Sequence, residues 1–165
     1  MQRYETFLKA LDKKLEGYFI SQGNLVLCEK GCSACCEKGD YPISELELKY
    51  LMLGFANLEN DLKIQVQKNF KNMKKGDACP FLINKECSIY LYRPIVCRVH
   101  GLAYLLKDKT VKLPYCANEG KNYSGLYENG EFIGNPILEN LETHNLLKDF
   151  EFGEIKNLYD WILNA

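Results

Sequence analysis

Cys28-Glu-Lys-Gly-Cys32-Ser-Ala-Cys35-Cys36 sets four thiols within nine residues, and the reading of this stretch decides what the rest of the chain is built around. Four more cysteines follow, at Cys79, Cys87, Cys97 and Cys116. Thiols are scarce, soft and reactive, so a chain that concentrates them forms disulfides, binds a metal or carries out redox chemistry. Of the 165 residues, 47% are apolar, enough to bury a core without covalent staples. Disulfide-dense frameworks belong to domains too small to do that. The start, Met1-Gln-Arg-Tyr-Glu-Thr-Phe-Leu-Lys, has no apolar h-region, and no stretch approaches the roughly 18 apolar residues of a membrane span. A reducing cytoplasm is therefore the expected compartment, and there clustered thiols are metal ligands or redox groups. The 21 basic and 22 acidic residues nearly cancel, which leaves no electrostatic footprint for nucleic acid.

Moving outward from the cysteines, residues 3–21 read as an amphipathic helix, with Tyr4, Phe7, Leu8, Leu11, Leu15, Tyr18 and Phe19 on one face. Gly23-Asn24 stops it. Ser44 and Glu47 have capping-box spacing and announce a second helix. A third, half-exposed, is expected over 59–74. Between the later cysteines, 80–84 reads as a short strand or turn and 89–93 as a helical turn, with Pro94 breaking the chain or opening another short helix. Hairpins are expected at 102–114 and around Asn129-Gly130. Apolar spacing then predicts helices over 137–148 and 154–164. The expected fold is mainly α with minor β: one domain over 1–165, in which helices pack around an irregular cysteine-rich metal-binding centre with one or two short β-hairpins. The cysteine core spans 28–116, and residues 1–25 and 136–165 form helical flanks.

Close spacing lets one turn of chain supply several ligands, and distant ligands then close the site and couple it to folding. The adjacency of Cys35 and Cys36 is expected to point their side chains apart, which suits a multinuclear cluster, neighbouring sites, or a ligand beside a free thiol. The whole run Cys28-x3-Cys32-x2-Cys35-Cys36, Cys79-Pro80-Phe81-Leu82, Cys87-Ser88-Ile89-Tyr90-x2-Arg93-Pro94-x2-Cys97-Arg98 resembles the YkgJ-like cysteine-cluster proteins, described as zinc- or iron-chelating. Cys116 matches the late cysteine that such proteins often carry. The resemblance covers about residues 28–116 and implies metal binding through these cysteines.

The candidate metal ligands are thus Cys28, Cys32, Cys35, Cys36, Cys79, Cys87, Cys97 and Cys116. One site needs about four ligands, so eight suit two sites or one cluster with spare thiols. Bunched early ligands with distant closing ones point to an iron–sulfur cluster of the [4Fe–4S] kind, with zinc as the other reading. Arg93 and Arg98 flank Cys97, and a guanidinium would offset the negative charge of a thiolate-held centre. His100 and His144 are expected to lie outside the ligand set. Tyr90, Tyr92, Tyr104 and Tyr115 are expected to pack against the site and exclude water. No phosphate loop, nucleophile elbow or His-Glu-x-x-His helix is present. The expected function is a metal-binding protein serving metal handling, electron transfer or the scaffolding of a protein partner. A related cluster in flagellin lysine N-methylases keeps a second reading open, an enzyme or accessory subunit of a protein-modifying system.

Overall fold

A computed structural model describes residues 1–28, 31–38 and 41–163. In chain order the elements are α1 (Gln2–Gln22), β1 (Pro42–Ser44), α2 (Glu45–Ala56), α3 (Asn60–Asn72), β2 (Leu82–Ile83), β3 (Glu86–Cys87) and α4 (Ile95–Val99). Then follow β4 (Tyr104–Leu105), β5 (Val111–Lys112), β6 (Tyr127–Glu128), β7 (Glu131–Phe132), α5 (Thr143–Leu146), β8 (Ile155–Asn157) and α6 (Leu158–Leu163). Helix predominates and the strands are short, paired two by two. The chain divides into two compact units, Met1–Glu29 with Arg98–Leu146, and Lys30–Cys97 with Leu147–Ala165.

In the first unit, α1 buries Tyr4, Leu8, Leu11 and Leu15. These stand three or four residues apart, which puts them on one helix face. Gly23 ends the helix with φ +46°. Both expected hairpins form, β4 with β5 and β6 with β7. Asn129 and Gly130 take positive φ at the second turn, as a two-residue hairpin loop of this type requires. Residues 137–148 do not form the expected helix. Ile137 instead pairs in parallel with Tyr104, its N–H donating to the Ala103 carbonyl at 2.8 Å. The Asn140 side chain then accepts from the Glu142 N–H at 2.8 Å. Such local bonds compete with helix formation, and only α5 remains helical.

In the second unit, β1 runs antiparallel to β8 with Ile43 opposite Lys156. The 154–164 segment is therefore strand first and helix after, where a single helix was expected. Strand pairing with β1 overrides the apolar spacing of Ile155, which is exposed. The capping box is present at the start of α2. Ile43, Leu51, Val66, Phe81, Ile89 and Leu158 make the core, with Cys79 and Cys87 packed against it. The β2–β3 hairpin was not read from the sequence. Asn84 and Lys85 both adopt positive φ, and lysine at the second turn position hides the usual Asn-Gly signal.

Gly54 lies inside α2 where the ring of Tyr92 crosses it. A Cβ there would stand 2.5 Å from Tyr92 Cγ and 2.6 Å from its Cβ. Alanine normally favours a helix interior by up to about 1 kcal/mol, but these contacts are with the root of a side chain, which cannot swing clear. Gly54→Ala is expected to destabilise by about 1–3 kcal/mol in urea unfolding. A stabilised variant would show that Tyr92 is free to move.

Candidate metal centre

The thiols of the second unit come from four stretches of chain. Cys35 and Cys36 sit on a turn closed by bonds from the Cys36 and Glu37 N–H groups to the Ser33 carbonyl, at 2.8 and 3.0 Å. The Ser33 hydroxyl meets Glu37 Oε1 at 2.6 Å, and the Tyr41 hydroxyl donates to the Cys35 carbonyl at 2.8 Å. The Cys79 N–H donates to the Cys36 carbonyl at 2.7 Å and ties the two cysteine stretches together. Cys87 lies on β3 opposite Leu82. Cys97 lies on α4, which the buried Glu47 holds by accepting the Ile95 N–H at 2.8 Å. Pro94 has no N–H, so Ile95 offers the first free donor of that turn.

The Cys35 and Cys36 sulfurs stand 4.0 Å apart. Adjacency thus does not separate them as expected, because the turn at 36–38 brings both to one side. Hydrogen bonding from Cys36 lowers Cys35 to about 7. The same bond, with burial and the Cys35 charge, raises Cys36. Burial pushes Cys79 up to about 12, and the Cys87 and Cys35 charges add to it. Burial likewise raises Cys87, and it raises Cys97 strongly, with Cys79, Cys35 and Cys87 as like-charged neighbours. Five thiols therefore act on one another, with one of them ready to ionise. Arg93 is the cation that favours the ionised forms of Cys35, Cys87 and Cys97. Its guanidinium lies 3.5 Å from the centroid of the Tyr90 ring and donates to the Tyr90 carbonyl at 2.9 Å.

The other candidates are placed differently. Cys32 is exposed. Cys28 and Cys116 belong to the first unit, where Cys116 is buried and the Cys28 sulfur accepts from Asn122 Nδ2 at 3.2 Å. Arg98 is buried and ion-paired with Asp12 of α1 at 2.5 Å. His100 is largely buried, and burial lowers its pKa, with Lys112 adding to the effect. His144 lies on α5. Tyr92 packs on Tyr50 with ring centroids 5.0 Å apart. Tyr104 is buried in the first unit, whereas Tyr90 and Tyr115 are exposed. The sequence marked Glu47 only as part of a helix cap, and it did not mark Asn122. The Ser44–Glu47 spacing showed the cap, but the reach to Ile95 is a long-range contact that no local pattern carries.

Every described cysteine is free of disulfides. Among the described residues, no group of three or more His, Cys, Asp or Glu side chains already forms a set that could hold a metal ion. Cys35 and Cys36 are close neighbours, with sulfurs 4.0 Å apart, but not part of a preformed cage among the described residues. Their chemistry fits a soft-ligand centre, because thiolate sulfur is preferred by zinc and by iron–sulfur clusters.

A mainly helical protein with thiols gathered from distant segments around an arginine belongs to the cysteine-cluster class. Residues 27–117 match the CxxCxxCC family, "Putative zinc- or iron-chelating domain", and the chain belongs to that family. No curated protein and no solved structure matches the chain. Among the described residues, no helix is long and apolar enough to cross a membrane.

Proposed function

We propose that this chain binds metal through its clustered cysteines, with Cys35, Cys36, Cys79, Cys87 and Cys97 as the main ligands and Arg93 offsetting their charge. The observation that carries this reading is the convergence of reduced cysteines from separate segments: the Cys35 and Cys36 sulfurs stand 4.0 Å apart, and the Cys79 N–H donates to the Cys36 carbonyl at 2.7 Å. Zinc bonds sulfur at about 2.3 Å in a tetrahedron, which puts neighbouring sulfurs about 3.8 Å apart. The Cys35–Cys36 separation of 4.0 Å is close to that edge, so the pair suits a single tetrahedral ion such as zinc. Four of these five thiols would complete either a zinc ion or an iron–sulfur cluster, since each takes four thiolates, so an iron–sulfur cluster is the second reading. Metal uptake must displace protons from the thiols whose pKa values are raised. The partial exposure of the cysteines suits metal handling or electron transfer.

The test is anaerobic purification followed by absorption, metal and labile-sulfide measurement. Zinc in stoichiometric amount, no colour and no sulfide support the first reading, since a filled d-shell has no such transitions. A brown protein containing sulfide supports the second. Chelation should lower the thermal midpoint well beyond the effect of a surface substitution, because ligand binding is linked to folding. A protein that holds neither metal, as isolated or after reconstitution, would overturn the proposal.

A further inference from the structure

The peptide unit that joins Cys35 to Cys36 is held at both ends. Its carbonyl accepts from the Tyr41 hydroxyl at 2.8 Å, and its N–H donates to the Ser33 carbonyl at 2.8 Å. The next unit, from Cys36 to Glu37, is held in the same way. Its carbonyl accepts from the Cys79 N–H at 2.7 Å, and its N–H donates to the same Ser33 oxygen at 3.0 Å. A peptide unit is planar, so bonds at its opposite edges fix the plane, and only φ and ψ lie between one plane and the next. With both planes set, φ and ψ of Cys36 are set, and with them the direction of its side chain. Two adjacent side chains thereby come to one side, with sulfurs 4.0 Å apart. Three of these four bonds run from backbone to backbone, and the Tyr41 bond alone uses a side chain. Tyr41 is anchored in turn. Its carbonyl accepts the Leu158 N–H at 3.0 Å, and Leu158 is buried in the core. Pro42 follows it and pairs with Asn157 of β8. The hydroxyl therefore reaches the Cys35 carbonyl from a place that the core and a strand pair fix independently of the turn.

We infer that Tyr41 is a positioning residue for the Cys35–Cys36 pair. Through the Cys35 carbonyl it holds the two sulfurs side by side, so that they grip one metal ion as a two-point chelate and not as one ligand beside a free thiol. The inference rests on the metal-binding reading above and names what aligns two of its ligands. A residue that orients ligands without touching the metal is worth about 10–100-fold in metal affinity.

The experiment titrates chelated, reduced full-length protein with Co²⁺, a coloured ion that takes zinc's place, and follows its charge-transfer and ligand-field absorption. Four proteins are compared: wild type, Cys36→Ser, Tyr41→Phe and the double variant. Cys36→Ser should lower the charge-transfer absorption by one thiolate's share. Tyr41→Phe removes only the hydroxyl. It should keep the thiolate number at saturation and weaken affinity about 10–100-fold. It should also shift the ligand-field bands, because the angle between the two sulfurs at cobalt is no longer held. In the Cys36→Ser background Tyr41→Phe should change neither quantity, since no pair remains to align. Equal losses in both backgrounds would make Tyr41 merely structural. An unchanged titration in Cys36→Ser would show that the pair does not chelate, and wild-type affinity and bands in Tyr41→Phe would show that the hydroxyl does not align it. Each of these results overturns the inference and leaves the metal reading standing. No Co²⁺ uptake by wild type removes both. Should Cys36→Ser fail to fold, Cys35→Ser takes its place, because loss of either sulfur abolishes the chelate.

Discussion

Replacing Glu47 by alanine is expected to cost about 3–5 kcal/mol of folding stability. The Glu47 side chain is fully buried. One carboxylate oxygen accepts from both the backbone N–H and the hydroxyl of Ser44, each at 2.7 Å. The other accepts the Ile95 N–H at 2.8 Å. Truncation leaves two buried backbone donors unmatched, at about 1–3 kcal/mol each, and removes one half of a capping box. Glu47→Gln keeps the shape but turns an NH₂ toward one set of donors, so it should fall between alanine and wild type. Because Ile95 begins the helical turn that carries Cys97, metal affinity should fall in parallel. Urea unfolding of the chelated protein and metal titration measure the two effects. A loss under about 1 kcal/mol would show that water reaches these donors and that Glu47 does not hold Cys97 in place.

Phe81→Ala is expected to remove about 3–5 kcal/mol, the usual cost of deleting a buried ring. Phe81 is 1% exposed and meets Phe70 edge-on at a centroid distance of 5.2 Å and Phe55 at 6.5 Å. Its carbonyl also receives the Ser88 N–H at 2.9 Å. It follows Cys79-Pro80, and the Pro80 carbonyl is held by Asn69 of α3 at 3.0 Å. The cavity would open beside Cys79 and Cys87, which pack on the same core. Metal retention should therefore drop together with the thermal midpoint. Phe81→Leu fills most of the space and should cost less than half as much. If the two variants behave alike, the core collapses around the site and ring packing does not position the thiols.

Much of the fold was legible where its signals are local. The 3–4 spacing of Tyr4, Leu8, Leu11 and Leu15 marks α1, and the Ser44–Glu47 box marks the start of α2. The Asn129-Gly130 turn needs no partner beyond its own strands. The tail misled for the opposite reason. Ile137 and Ile155 have helical spacing with their neighbours, yet each is taken up by a strand far away in sequence, at Tyr104 and Ser44. Backbone pairing of that range leaves no trace in a local period.

The cysteine site divides along the same line. Eight thiols in one short chain, with their spacings, determine by themselves the chemical class and the family, because ligand type follows from the donor atom. Which thiols meet depends on three-dimensional contacts. A turn brings Cys35 and Cys36 to 4.0 Å, and one backbone bond joins Cys36 to Cys79. Arg93 and Arg98 look equivalent in sequence on either side of Cys97. The tertiary structure turns Arg93 toward the thiols and gives Arg98 to Asp12, since a buried guanidinium needs a carboxylate within reach. Asn122 carries no motif, and its link to Cys28 spans 94 residues. Only the folded chain, with Gly101 opening the space between them, decides that contact.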